Sequence, residues 1–388
     1  MHIVLLSWLA VNELGVSSSE LGWVQAAGLF PSVFLILLAG ALADRYDPAR
    51  VLFTAQMLLF CSYFILGVLL FAGQLNLSLL VIYALSVGVG NALSQPVREK
   101  LISNIKLHTV QKRISLLSIT QFSMQSVGIA MAALSDTIGL VFVVAIQASL
   151  ALVSAVTTIT LSKAKDEKKV AFVNTFFDVR EGFGLIKTSV PLKQLLVLIA
   201  FNGYMHMGVF LVLLPILAAH NYGFTAAQFG SLQLVFVVGM ISAHLGLLKQ
   251  STLEYPGQGA LFSLLYTALI GFALMKHPTT WGFYALIYCW GLVAGNSAGR
   301  CRLVLQALAP KGMKGRAISI YQAVLFGAAP IGALVTGYVI KYMSTDEILS
   351  FMSISSVSLF FFFLVSRSLW SVKQIDVPVE RKEIDGDE

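Results

Sequence analysis

The sequence predicts an all-α protein whose helices cross a membrane. Three features point to it: a composition too apolar for a soluble chain, apolar runs of membrane-crossing length, and basic residues confined to alternate loops. Hydrophobic residues make up 57% of the 388 residues and charged residues only 12%, and the mean hydropathy is +0.82. A soluble domain carries about twice that share of charge. Leu21 to Ala43, Val51 to Ala72 and Thr345 to Val365 each reach the ~20 residues that cross a hydrocarbon layer ~30 Å thick. In lipid the backbone must satisfy its own hydrogen bonds, and unbroken runs of this length do so as helices. The ~10-residue alternating segments of a β-barrel are absent from the sequence.

Full spans are expected at 21–43, 51–73, 77–97, 114–135, 137–161, 192–218, 225–247, 257–276, 280–303, 315–341 and 345–367. Upstream, Met1 to Leu14 is apolar but short. At 1.5 Å per residue it falls short of a crossing. It has neither the basic leader nor the small-residue cleavage site of a signal peptide. The expectation is the outer part of a first helix that is truncated at its N-terminus, which completes twelve helices. Cys61, Cys289 and Cys301 stand singly in apolar runs and read as small packing residues, not as a disulfide or metal set.

Loops of such a bundle alternate between the two sides, with 44–50 inside. Of the 26 Lys and Arg residues, only Lys276 and Lys341 then fall outside. This is the positive-inside pattern, and it predicts a cytoplasmic C-terminus. The net charge of +7 thus belongs to loops beside anionic lipid, not to a nucleic-acid surface. The densest charge cluster, Lys163-Ala-Lys-Asp-Glu-Lys-Lys169, divides the chain. Residues 1–161 form one expected bundle and 192–369 another, with a linker at 162–191 and a tail at 370–388. In the linker Phe172, Phe176, Val179, Phe183 and Ile186 recur at helical spacing. That stripe suits an amphipathic helix lying on the inner membrane surface or packed on other loops.

An internal repeat supports the division. Gly90-Asn91 precedes Arg113-Ile-Ser115 much as Gly295-Asn296 precedes Arg316-Ala-Ile-Ser319. Weak symmetry between halves is common in secondary transporters, whose substrate site lies at the midplane between repeats. Gly291, Gly295 and Gly299, and likewise Ala329, Ala333 and Gly337, recur every four residues. Small residues at this spacing permit close helix contact in lipid.

Gly40-Ala-Leu-Ala-Asp44-Arg45-Tyr-Asp47-Pro-Ala-Arg50 closes the second helix and opens the third. This segment resembles the loop signature of the major facilitator superfamily, Gly-x-Leu-Ala-Asp-Arg-x-Gly-Arg-Arg/Lys. It departs from it by Asp47 at the second glycine and by the short Pro48-Ala49 step. The resemblance implies a fold of two six-helix bundles. It also implies a gating role for Gly40, Asp44, Arg45 and Arg50, with Asp44 bonding the start of a facing helix and the arginines bridging helix ends. Three further stretches are similar to the enterobactin-exporter and macrolide-efflux (secretion effector) branch. They are Asp178 to Lys187 with Pro191-Leu-Lys193, Gln306 to Ser319, and Gly327-Ala-Ala-Pro330-Ile-Gly332. The fifth helix, reading Ser126 to Leu134, lacks the proline of the superfamily's exporter signature.

Polar groups inside a span are costly and tend to face a cavity or each other. Asn91, Gln95, Gln121, Gln125, Asn202, His206, Gln233, His244, Asn296, Arg300 and Gln322 are therefore the candidates for a substrate cavity, with interhelical hydrogen bonding as the other reading of each. His206 and His244 are the mid-span groups that titrate near neutral pH, and both proton carriage and packing stay open for them. Arg98 and Arg300 lie near helix ends and suit snorkelling or anion binding. Glu13 sits beside the Gly15-Val-Ser-Ser-Ser19 loop at the outer interface.

The expected function is secondary active transport in the cell (inner) membrane. A small amphiphilic molecule, such as a siderophore or a drug, would be exported by alternating access. Protons are the candidate coupling ion, and the chain would act as a monomer without cofactor or metal. No convergent His/Asp/Glu or Ser/His set suggests an enzyme, and no phosphate-binding glycine loop suggests ATP coupling. An importer, a lipid flippase and a non-transporting relative are the alternatives.

Overall fold

The structure is a computed structural model that describes residues 2–45, 47–103, 110–133, 135–162, 189–250, 253–309 and 314–373. Among these residues every extended element is helical. We number the helices by crossing. α1 is His2–Trp8, continued by a π-helical turn at Leu9–Glu13. Then come α2 (Ser18–Arg45), α3 (Pro48–Phe71), α4 (Leu77–Ser103), α5 (Val110–Ala133) and α6 (Leu140–Ser162). α7 runs over Val190–Asn221 with π-helical turns at Asn202–Gly208 and Leu217–Asn221. α8 (Ala226–Lys249), α9 (Pro256–Leu274), α10 (Thr280–Leu308), α11 (Lys314–Val339) and α12 (Thr345–Ser366) complete the set.

Each expected span has its helix, with ends displaced by a few residues. Among the described residues nine helices are long and apolar enough to cross a membrane. α2 and α10, at 28 and 29 residues, are the other long ones. The helix starts are written locally. Asp47 accepts from the Ala49 N–H ahead of Pro48, and Asn76 accepts from the Leu79 N–H. Thr225 with Gln228, and Ser344 with Glu347, form reciprocal caps. Each satisfies N–H groups that a helix start leaves without a partner. At the start of α2 the Ser17 N–H and hydroxyl both donate to Glu20. These bonds hold its carboxyl below the usual carboxylate range.

Within the first six helices α2 packs on α4, and α3 on both α4 and α6. Within the last six, α10 packs on α8 and α9, α9 on α12, and α7 on α11. The outward faces stay apolar. Phe34, Phe64, Leu269 and Phe362 are all exposed, as side chains facing lipid would be. Trp23, Phe71, Trp281 and Tyr342, among the most exposed aromatics, all lie at helix ends remote from the basic loops. Aromatic side chains favour that membrane–water boundary. Cys301 is buried, but Cys61 and Cys289 are exposed, so only one of the three packs in the interior.

Beyond α12 the chain turns at Arg367, whose φ of 51° is left-handed, and folds back across the basic end of the last six helices. Gln194 on α7 donates to Ser366 Oγ and accepts the Leu369 N–H. Lys373 pairs with Glu254 at 2.9 Å, which raises the Lys373 ammonium above its ordinary value. Leu369 and Val372 are buried. The tail is thereby tied to α7 and to the approach to α9. The amphipathic stripe Phe172 to Ile186 expected in the 162–191 linker lies outside the described residues.

Candidate functional site

A transport site in such a bundle lies where its two sets of six helices meet. They meet along two seams, α2 against α11 and α5 against α8. In the first seam Gly22 allows close approach, since a Cβ there would lie 2.9 Å from Ala333 O and 3.2 Å from Gly337 Cα. Gly327 lies against Val33 further along. In the second seam Phe122 and His244 bring their rings to 5.6 Å. Gln111 reaches from α5 to the end of α8: its amide donates to Leu247 O at 2.6 Å and its oxygen accepts the Leu253 N–H. Trp8 of α1 stacks on Phe229 of α8 at 6.3 Å. The small cavity beside this stack has room for about one water. It measures about 10 Å³ and is lined by Ser7, Trp8, Val11, Pro215, Ala218, Ala219, Phe224 and Phe229.

The polar candidates fall into two groups. On α4 and α5, Asn91 and Gln121 are exposed, and Gln95 and Gln125 are half-buried. Four amide side chains on two spanning helices are thus wholly or partly accessible. In the last six helices several of the candidates have hydrogen-bonding partners within the bundle. Asn202 donates to Ser297 Oγ on α10 at 3.4 Å, and His206 Nε2 lies 3.4 Å from Ser356 Oγ on α12. The ring of His206 also meets Phe201 edge-on. Asn202 and His206 therefore join α7 to α10 and α12. Arg300 donates through Nε to Asn296 Oδ1 at 2.8 Å, while its guanidinium lies over Gly259 of α9. His244 is buried with Nδ1 2.9 Å from Met240 O. Gln233 and Gln322 are buried as well.

Of the gating motif, the side chains of Gly40, Asp44 and Arg45 lie outside the described residues. Arg50 is exposed and its Nε sits 4.0 Å from Asp47 on its own helical turn. Glu13 closes the π turn of α1 beside the Gly15 loop.

Polar groups that the sequence does not single out also join helices. Gln25 donates to Ser7 Oγ at 2.7 Å, with both residues buried. His2 Nδ1 lies 3.0 Å from the Tyr83 hydroxyl. Gln25 meets the same mid-span criterion as the candidates above. Gln111 does not, because its neighbours Lys112 and Arg113 give it the context of a solvated loop.

With this geometry in view, the comparisons agree on class. The family described as transmembrane secretion effector matches residues 1–379. No curated protein matches the sequence. Among solved structures, a mutant of the nucleoside transporter NupG is similar at a TM-score of 0.70 and 13% identity, covering 94% of each chain. The human organic anion transporter MFSD10 (TETRAN) is similar at a TM-score of 0.63 and 12% identity, covering 88% of this chain and 82% of that one. At such identities the likeness shows the fold alone, the major facilitator arrangement of membrane helices.

Proposed function

Because the chain belongs to the transmembrane secretion effector family of major facilitator membrane transporters, we propose that it is a secondary active exporter of a small amphiphilic molecule, siderophore or drug-like, working by alternating access. The observation that carries this reading is the pair of seams. α2–α11 and α5–α8 are where the two sets of six helices touch, and glycine and alanine at the α2–α11 contact let one bundle pivot on the other. Residues 1–161 and 192–369 are the moving bundles, 162–191 links them, and 370–388 is the tail. The basic loops and the C-terminus face the cytoplasm, with the protein as a monomer in the inner membrane.

Asn91, Gln95, Gln121 and Gln125 supply a polar wall on α4 and α5. Amides of this kind take hydrogen-bonding groups of either sense, which suits a solute with scattered polar atoms on an apolar body. Asn202, His206, Gln233, His244, Asn296, Arg300 and Gln322 complete the candidate set from the other bundle. For His206 and His244 a proton-carrying role is part of the proposal. Gly40, Asp44, Arg45 and Arg50 act as the cytoplasmic gate. The experiment is accumulation of a fluorescent amphiphile in intact cells. Cells making the protein accumulate less than cells making none, and Asp44→Asn restores much of the accumulation without lowering the amount of protein in the membrane. Equal accumulation in all three strains, across dyes, macrolides and siderophores, contradicts export.

A further inference from the structure

We propose that Gln111 is the latch that holds the basic end of the α5–α8 seam closed, and that its release is required for the bundle to open on that side. The inference rests on the alternating-access reading and adds to it a residue outside the gating motif.

Gln111 is the second residue of α5 and is buried. Its Nε2 donates to Leu247 O at 2.6 Å and lies 3.4 Å from Gln250 O, and its Oε1 accepts the Leu253 N–H at 3.3 Å. One amide side chain thus meets three backbone groups of the other six helices. A helix end leaves its last carbonyls without intrahelical partners. Leu247 belongs to the last turn of α8, and Gln250 follows Lys249, where α8 ends. Gln111 therefore caps α8 from outside and reads backbone geometry, which no rotation of a neighbouring side chain can mimic. Lys at this position would still donate but has no acceptor, and Glu has no donor.

The placement separates this contact from the other buried amides. Gln194 makes the same kind of bridge, to Ser366 and Leu369, but both ends belong to the last six helices. Ser7–Gln25 and Asn202–Ser297 likewise stay on one side of the seam. Those bonds hold while a bundle moves as one body. Gln111 instead spans the contact that opening must break, and its three bonds share one side chain and break together. Toward the opposite end Gly22 packs on Ala333 and Trp8 of α1 on Phe229, contacts that have no directional bond to lose.

The test uses the full-length chain in lipid nanodiscs, with Cys61, Cys289 and Cys301 replaced by alanine. Spin labels go on exposed positions at the basic end (Leu116→Cys and Leu245→Cys) or at the other end (Ile138→Cys and Ala227→Cys). Distance distributions are read by pulsed electron paramagnetic resonance. Gln111→Leu is expected to shift the ratio of short to long distances at the basic end about tenfold toward the long. The 138/227 pair is expected to move toward the short. Gln111→Glu, which cannot donate to the carbonyls, shifts the same way and serves if the leucine variant misfolds. If the protein with Gln111 exchanges at both pairs and neither variant alters the ratio, the latch is wrong while alternating access stands. A single unchanging distance at both pairs in that protein, with and without an amphiphilic solute, overturns both.

Discussion

A buried amide in a membrane protein has little water to fall back on, so its partner decides whether it stabilises or destabilises. Ser7 and Gln25 are 2% and 4% exposed and share a 2.7 Å hydrogen bond. Ser7→Ala leaves the Gln25 amide buried and short of a partner, at a cost of about 1–3 kcal/mol. Adding Gln25→Leu removes the orphaned group, and the double variant is expected to recover most of that loss. Thermal unfolding in mild detergent reads both; a double variant less stable than Ser7→Ala would show that the bond is not what matters. This pair also marks where residue-level reading of the sequence stops. Gln25 is as visible in its apolar run as Gln121 is in its own, yet one is buried against Ser7 and the other is exposed. The chain is apolar on the lipid side too, so the pattern of apolar residues does not say which face of a helix turns inward.

Helices were legible in the sequence because length and hydropathy decide them, and because caps such as Asp47-Pro48 and Ser344 to Glu347 are written in a few adjacent residues. The π turns of α7 were not. Asn202–Gly208 has no local signature; it is set by contact with α11, where Gly203 meets Leu325 O and Gly332 meets Tyr204 O. Added volume at that contact is expected to be costly. Gly332→Val places carbon against a backbone carbonyl that cannot yield, for a loss of about 1–3 kcal/mol or more. Gly246 is the contrast, since a Cβ there meets nothing within 4 Å. Gly246→Ala, inside α8, is expected to stabilise by up to about 1 kcal/mol through helix propensity. Melting temperatures should move in opposite directions for the two variants, and a tolerated Gly332→Val would contradict the close α7–α11 packing.

At the scale of the whole molecule, the proposed orientation rests on the basic residues, and the exposed aromatics mark a membrane boundary. The basic residues gather at one end of the helices, and Trp23, Phe71, Trp281 and Tyr342 lie exposed at the other. The first was read from the sequence by counting loops; the second needed the structure, because exposure separates these aromatics from the many others. The positive-inside rule is what supports the proposed placement of Glu388 and the 162–191 linker on the cytoplasmic side. Single cysteines introduced at Glu388 and at Ser162 should therefore resist an impermeant thiol reagent in intact cells and react once the membrane is permeabilised. Labelling from outside would invert the topology.

Direction of transport separates the export account from every alternative of the same fold. On the proposed topology, everted inner-membrane vesicles expose the basic face outward, so an exporter loads them. Upon energisation, vesicles containing the protein should accumulate at least one solute from a panel of siderophores, macrolides and amphiphilic dyes, and vesicles carrying Asp44→Asn should accumulate less. Accumulation by right-side-out vesicles instead, or none in either orientation across the panel, would contradict it.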